Sequence, residues 1–156
     1  MSSEPMRRAR GRMMCGLAAS ACLISSSISS FAADVAVAKA WVEPTDAVGG
    51  EAVLSMTVTN DGADADALVR AACPFANFSE KRTIDHGEGA PAKRAISNIP
   101  LPPHTAVTMA ETGYHVALLQ VREKLVEGAT FKCSLRFRNA GPMDVEVRVS
   151  RSEPDS

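Results

Sequence analysis

At 156 residues, 46% of them hydrophobic and 22% charged, with a formal net charge of −1, the chain has the size and balance of one globular domain. It lacks the charge excess of nucleic-acid-binding domains and the low hydrophobicity of disordered tails. Its basic residues are unevenly placed: Arg7, Arg8, Arg10 and Arg12 precede a small and apolar stretch over residues 13–28, and Ser30-Phe31-Ala32 follows with the small-x-small pattern of a cleavage site. Residues 1–32 therefore read as a secretory signal peptide. The stretch is too rich in Ala and Ser to supply the roughly 20 strongly apolar residues of a membrane span. Cys22, after Ala19-Ser20-Ala21, offers a lipid anchor as an alternative, but the bulky aliphatic residue three positions earlier is missing.

Removal of the signal leaves 13 basic and 17 acidic side chains, a net charge of −4. No basic cluster survives, so neither nucleic acid nor an anionic membrane surface is an expected partner. No later segment could span a bilayer, and a periplasmic monomer is expected, with one domain over 33–150 and a flexible tail at 151–156.

Taken in order, the mature chain reads as short strands divided by turns. Residues 35–42 form a first strand, with Trp41 expected in the core. After a turn-rich loop at 44–50, residues 51–60 alternate: Ala52, Leu54, Met56 and Val58 fall on one side, Val53, Ser55, Thr57 and Thr59 on the other. Asn60-Asp61-Gly62 turns the chain. A strand from Asp66 to Cys73 is interrupted by Pro74, and residues 78–84 form another, carrying Lys81 and Arg82. Residues 85–91, with two Gly and a Pro, are a loop or hairpin tip. A short strand at 96–101 stops at Pro102-Pro103, and strands at 105–109 and 114–120 bracket a turn at Glu111-Thr112-Gly113. Residues 125–128 connect to 130–137, where Phe131, Cys133, Leu135 and Phe137 share a face. Asn139-Ala140-Gly141-Pro142 turns into a last strand, 144–149, with Val145, Val147 and Val149 inward. Turn signals every 8–12 residues and no convincing helical period predict an all-β fold, a sandwich or barrel.

Chemistry is sparse. No nucleophile elbow or phosphate-cradling Gly loop occurs, and no enzyme is expected. Cys73 and Cys133 remain after signal removal and, in an oxidising compartment, are a disulfide candidate. Two buried thiols and a soft-metal site stay open, as does a thiol–disulfide enzyme, although Cys-x-x-Cys is absent. Imidazole and thioether donors together favour Cu(I). Met56 reads as core, His104 as a solvated turn residue and His86 as a loop residue. His115, at the edge of an apolar run, has the best case for function, and Met109 could approach it across a hairpin.

The order and spacing of several segments resemble the periplasmic copper chaperone family PCu(A)C. They are Ala40-Trp41, Thr57-Val58-Thr59-Asn60-Asp61-Gly62, Asp66-Ala67-Leu68-Val69, Ile99-Pro100-Leu101-Pro102, Gly113-Tyr114-His115, Leu125-Val126-Glu127-Gly128 and Leu135-Arg136-Phe137 with Ala140-Gly141. The resemblance spans residues 37–149 and implies a cupredoxin-like antiparallel β-sandwich. It also implies Cu(I) bound by His-x₁₀-Met-x₂₁-His-x-Met and handed on to a periplasmic copper-accepting protein, such as an oxidase assembly factor. In this chain that frame runs Arg82, Lys93, His115, Ala117, with the spacing intact and three of the four donors replaced. Three readings follow: copper held by His115 with His86 and Met109 as substitutes; a non-metal interaction or assembly module; or an anion site of Arg82, Lys93 and His115.

Overall fold

A computed structural model describes residues 34–87 and 89–155; residues 1–32, expected to be a signal peptide, and Cys22 within them lie outside the described residues. Ten strands follow one another: β1 Val35–Val42, β2 Glu51–Asn60, β3 Asp66–Ala72, β4 Ala76–Asp85, β5 Ala92–Ala95, β6 Ile99–Leu101, β7 Thr105–Met109, β8 His115–Val121, β9 Thr130–Phe137 and β10 Pro142–Val149. No helix occurs among the described residues. The strands hydrogen-bond in the order β5-β4-β8-β2-β1-β10-β9-β3-β6, with β7 also on β2. Every pairing is antiparallel except β1 with β10. The sheet closes as a β-sandwich around one core, to which β2 gives Leu54, Met56 and Val58, β8 Val116 and Leu118, and β9 Leu135 and Phe137.

β2 is the hinge of this arrangement. Its second half, Met56–Asn60, pairs with β7, and its first half, Glu51–Leu54, pairs with β8. The two are collinear segments along one edge of β2 rather than the two arms of a hairpin. This corrects the sequence expectation that residues 105–120 fold back on themselves. Asn60 ends β2 buried, its amide donating to the carbonyls of Asp64 (2.9 Å) and Leu101 (3.0 Å) and its Oδ1 accepting from Gly62 N–H (3.1 Å). The Asn60-Asp61-Gly62 turn is thus tied to β6, which buries an amide without leaving it unpaired.

Two further departures have local causes. Trp41 is half-buried and faces outward, not into the core. Strict alternation from Val35 would place it inward, but Lys39 sits at φ 53° and the β1–β2 register shifts between Ala38 and Trp41. This bulge reverses the alternation, so Ala40 and Val42 are buried instead. β5 was not expected, because Ala-Lys-Arg-Ala carries no strand pattern and all four residues are exposed. It forms because the loop after β4 returns it to pair with Arg82–Asp85.

Cys73 and Cys133 are joined by a disulfide, as the sequence favoured, 60 residues apart and with Cα atoms 4.4 Å apart. They lie next to the β3–β9 ladder, one step from the Ala72–Ser134 pair, and both are buried. The sulfurs are spent on a cross-link and are not available as soft-metal ligands.

Candidate functional site: the outer face of β4, β8 and β5

Strand register decides which side chains share this face. Arg82 of β4 lies opposite His115 of β8, and Glu80 lies opposite Ala117. Ala117 in turn faces Val53 of β2, while Ile84, two residues beyond Arg82, faces Lys93 of β5. Because side chains alternate, these residues form one patch, and Val116, Leu118 and Leu54 point to the core on the other side. The fold therefore gathers Arg82, Lys93, His115 and Ala117 into one neighbourhood, with directly opposed Cβ atoms about 5 Å apart.

His115 is fully buried although it stands on the outer face. The five residues between β7 and β8 bulge away from β2, pinned by Ala110 N–H to Tyr114 O (2.8 Å) and Gly113 N–H to Ala110 O (2.9 Å). The loop sets the Gly113 carbonyl 3.0 Å from His115 Nδ1. A carbonyl can only accept, so Nδ1 carries the proton and donates. Nε2 is then the bare nitrogen, and it is buried with no hydrogen-bond partner.

The cations that replace two frame positions are not free. Arg82 donates from Nη1 to both carboxylate oxygens of Glu51 at 2.9 Å and from Nε to Glu80 at 2.6 Å. The Glu80 hydrogen bond raises the already high Arg82 pKa against the effect of burial, with Glu51 adding to it. Lys93 Nζ donates to Glu111 at 2.5 Å. That hydrogen bond, and then the Lys93 charge, hold the Glu111 carboxyl below its ordinary range, against a smaller opposing effect of burial. An anion site of Arg82, Lys93 and His115 is therefore not formed: each cation already has a carboxylate.

The substitute donors lie elsewhere. Met109 is fully buried, in register with Met56, and by strand alternation it shares the core face, opposite to that of His115. His86 is exposed in the β4–β5 loop, four residues beyond Arg82, or roughly 13 Å along a strand. Among the described residues no group of three or more His, Cys, Asp or Glu side chains could hold a metal ion. The donor set does not fit a self-contained Cu(I) site. Sequence reasoning missed Glu51, Glu80 and Glu111. Glu80 was readable, since i and i+2 on a strand share a face with Arg82; Glu51 and Glu111 arrive from distant segments.

Beside this patch, a cleft of about 470 Å³ runs between Trp41, Pro44 and Thr45 on one side and Ala110, Glu111 and Thr112 on the other, with Val53 and Ser55 among its walls. A hollow of about 490 Å³ at residues 43–46 and 125–127 lies away from His115.

The LpqE-like family model, described by likeness to a lipoprotein, matches residues 35–149. No curated protein matches the chain. Among solved structures, the copper-bound PCuAC domain from PmoF2 is 23% identical, with a TM-score of 0.64, over 76% of this chain and 94% of that domain. The apo PCuAC domain from PmoF1 is 21% identical, with a TM-score of 0.65, over 76% and 95%. The Cu(I) form of DR1885 from Deinococcus radiodurans is 22% identical, with a TM-score of 0.60, over 74% and 79%. No helix of the described residues is long and apolar enough to cross a membrane. The chain belongs to the LpqE-like family and is built on the cupredoxin-like β-sandwich of PCuAC domains.

Proposed function

We propose that this protein is an exported, periplasmic, copper-chaperone-type protein that engages Cu(I) through His115 as one donor of a site completed by a partner, and that it does not carry Cu(I) alone. The observation that carries this reading is the buried, unpartnered Nε2 of His115. Leaving a polar group unsatisfied in the interior costs about 1–3 kcal/mol, which a ligand would recover. The hydrogen bond from Nδ1 to Gly113 orients the ring and fixes the tautomer, as the supporting bonds of metal-ligating histidines do. The fold is also that of a copper-bound PCuAC domain and of Cu(I)-DR1885.

Arg82 does not deprotonate, Lys93 is tied to Glu111, and Ala117 has no donor. The remaining ligands would come from the copper-accepting protein, and Cu(I) would pass by ligand exchange with no catalytic step. Anaerobic Cu(I) titration against a weak chromogenic chelator tests the reading. The protein should compete weakly, and His115→Ala should abolish the competition; equal behaviour of the two proteins overturns it.

A second reading, a non-metal-binding interaction or assembly module on the same scaffold, is favoured by one observation: carboxylates pair with Arg82 and Lys93 on the face that carries His115. It is the reading that stands if His115→Ala changes nothing.

A further inference from the structure

We infer that Arg82 is a bar drawn across β8 that keeps Nε2 of His115 closed to solutes in the surrounding water, free metal ions included. Arg82 thereby governs access to the nitrogen on which the proposed function rests. The first observation is the path of its ion pair. Arg82 stands directly opposite His115, whereas Glu51 stands opposite Leu119, four residues further along β8. β8 lies between their strands, β4 and β2. The two side chains nevertheless meet, with Arg82 Nη1 donating to both Glu51 oxygens at 2.9 Å. With strands about 4.8 Å apart and a rise of about 3.3 Å per residue, the middle of that diagonal falls on Ala117. Glu80, directly opposite Ala117, accepts from Arg82 Nε at 2.6 Å and fixes the guanidinium from the β4 side.

The second observation is burial. His115 and Ala117 are both 0% exposed, although they stand on the outer face. An alanine side chain cannot withdraw from water by itself, so another group crosses above it, and the register puts the Arg82–Glu51 pair there. The Arg82 side chain is only 17% exposed, as befits a chain laid along the sheet rather than extended into solvent. A longer side chain at 117 would occupy the crossing point, so the small residue and the arginine belong together. The third is chemistry. A guanidinium keeps its charge throughout the pH range of a folded protein and repels a cation, so a free ion meets both a steric and an electrostatic barrier beside His115. Glu51 and Glu80 hold the bar from positions that are themselves partly open to water, with side chains 35% and 39% exposed, so the bar can be released without unfolding the core.

Diethyl pyrocarbonate acylates an unprotonated imidazole nitrogen, and with Nδ1 donating to Gly113 the bare nitrogen of His115 is Nε2. The purified protein is treated at pH 7, and acylation of each histidine is followed by mass spectrometry of its peptides. His86 and His104, both exposed, are the internal standards. In the parent His115 should lag far behind them. Arg82→Ala should speed His115 acylation about tenfold, the loss of a charge-assisted contact, and leave His86 and His104 unchanged. Glu51→Gln, at an exposed position, should speed it by a smaller factor. Urea unfolding of each variant is measured alongside. Folded Arg82→Ala with His115 as protected as in the parent overturns the bar; if Arg82→Ala does not fold, Glu51→Gln decides in the same way. His115 reacting as fast as His86 in the parent also overturns it. Cu(I) competition on the same variants separates the bar from the copper reading. Faster acylation of His115 with no gain in Cu(I) binding sustains the bar and removes the copper role. Unchanged acylation, with competition still abolished by His115→Ala, removes the bar and leaves the copper role standing.

Discussion

Asp66 shows how much one side chain can hold together. Its carboxylate is buried and accepts hydrogen bonds from the backbone N–H groups of Ala67 (2.7 Å), Asn139 (2.9 Å) and Ala140 (2.9 Å), which ties the start of β3 to the β9–β10 turn. Burial on its own would raise its pKa, but the backbone donors outweigh burial and hold it below the ordinary value. A folded-state pKa lower than the unfolded one means that stability is present above the unfolded pKa of about 3.9. That stability is lost as the pH falls through the lower, folded value. Asp66→Ala should therefore destabilise by roughly 1.5–3 kcal/mol near pH 7, as expected for hydrogen bonds to a charged group. Urea unfolding of both proteins at pH 7 and at pH 3 checks this; the difference should narrow at the lower pH, and a constant difference would show that the charge is not what matters. His115 contrasts with Asp66 on the same scale: the carboxylate accepts three backbone hydrogen bonds, whereas the imidazole has a buried nitrogen left over, the observation on which the proposed function rests.

Among elements, β1 and the β7–β8 segment decide where the chemistry lies. A single left-handed residue, Lys39, changes which face of β1 Trp41 occupies, because one bulge inverts a period-two pattern. The excursion between β7 and β8 does the comparable work for His115, setting the Gly113 carbonyl against Nδ1 of an outer-face side chain that is fully buried. The β3–β9 end of the sandwich is fixed differently, by the Cys73–Cys133 cross-link. Closing a 60-residue loop in the unfolded chain is worth about 4 kcal/mol on the chain-entropy model. Cys73→Ala/Cys133→Ala should lose about that much in denaturant unfolding. The wild-type protein in strong reductant should match the double variant, and a loss well under 1 kcal/mol would sink the entropic account here.

For the whole molecule, strand pairing brings Arg82, Lys93, His115 and Ala117 into one neighbourhood. If these positions form the frame that the resemblance implies, placing donors there should create a site. Arg82→His with Lys93→Met and Ala117→Met should raise Cu(I) affinity about tenfold or more per added donor, at 1.4 kcal/mol for each factor of ten. The measurement is the same chelator competition, and a triple variant no tighter than the parent would mean that the backbone no longer holds the positions together. Much of the fold was legible in the sequence: the bounds of β1, β2, β7 and β9 follow from alternation and turn residues, since one buried face imposes period two. The frame positions were legible too, through the spacing that resembles PCu(A)C. The exposed strand β5, the outward Trp41, the separation of Met109 from His115 and the pairing of Arg82 with Glu51 and of Lys93 with Glu111 were not. Each depends on register between segments far apart in the chain, and a local pattern does not carry register. The sequence by itself determined most of the strands and the spacing of the frame positions, and it raised the expectation of export. The tertiary structure alone decided that the two new cations are neutralised, that Nε2 of His115 is buried without a partner, and that Trp41 faces outward, because strand pairing and one bulge, not composition, set which side chains meet.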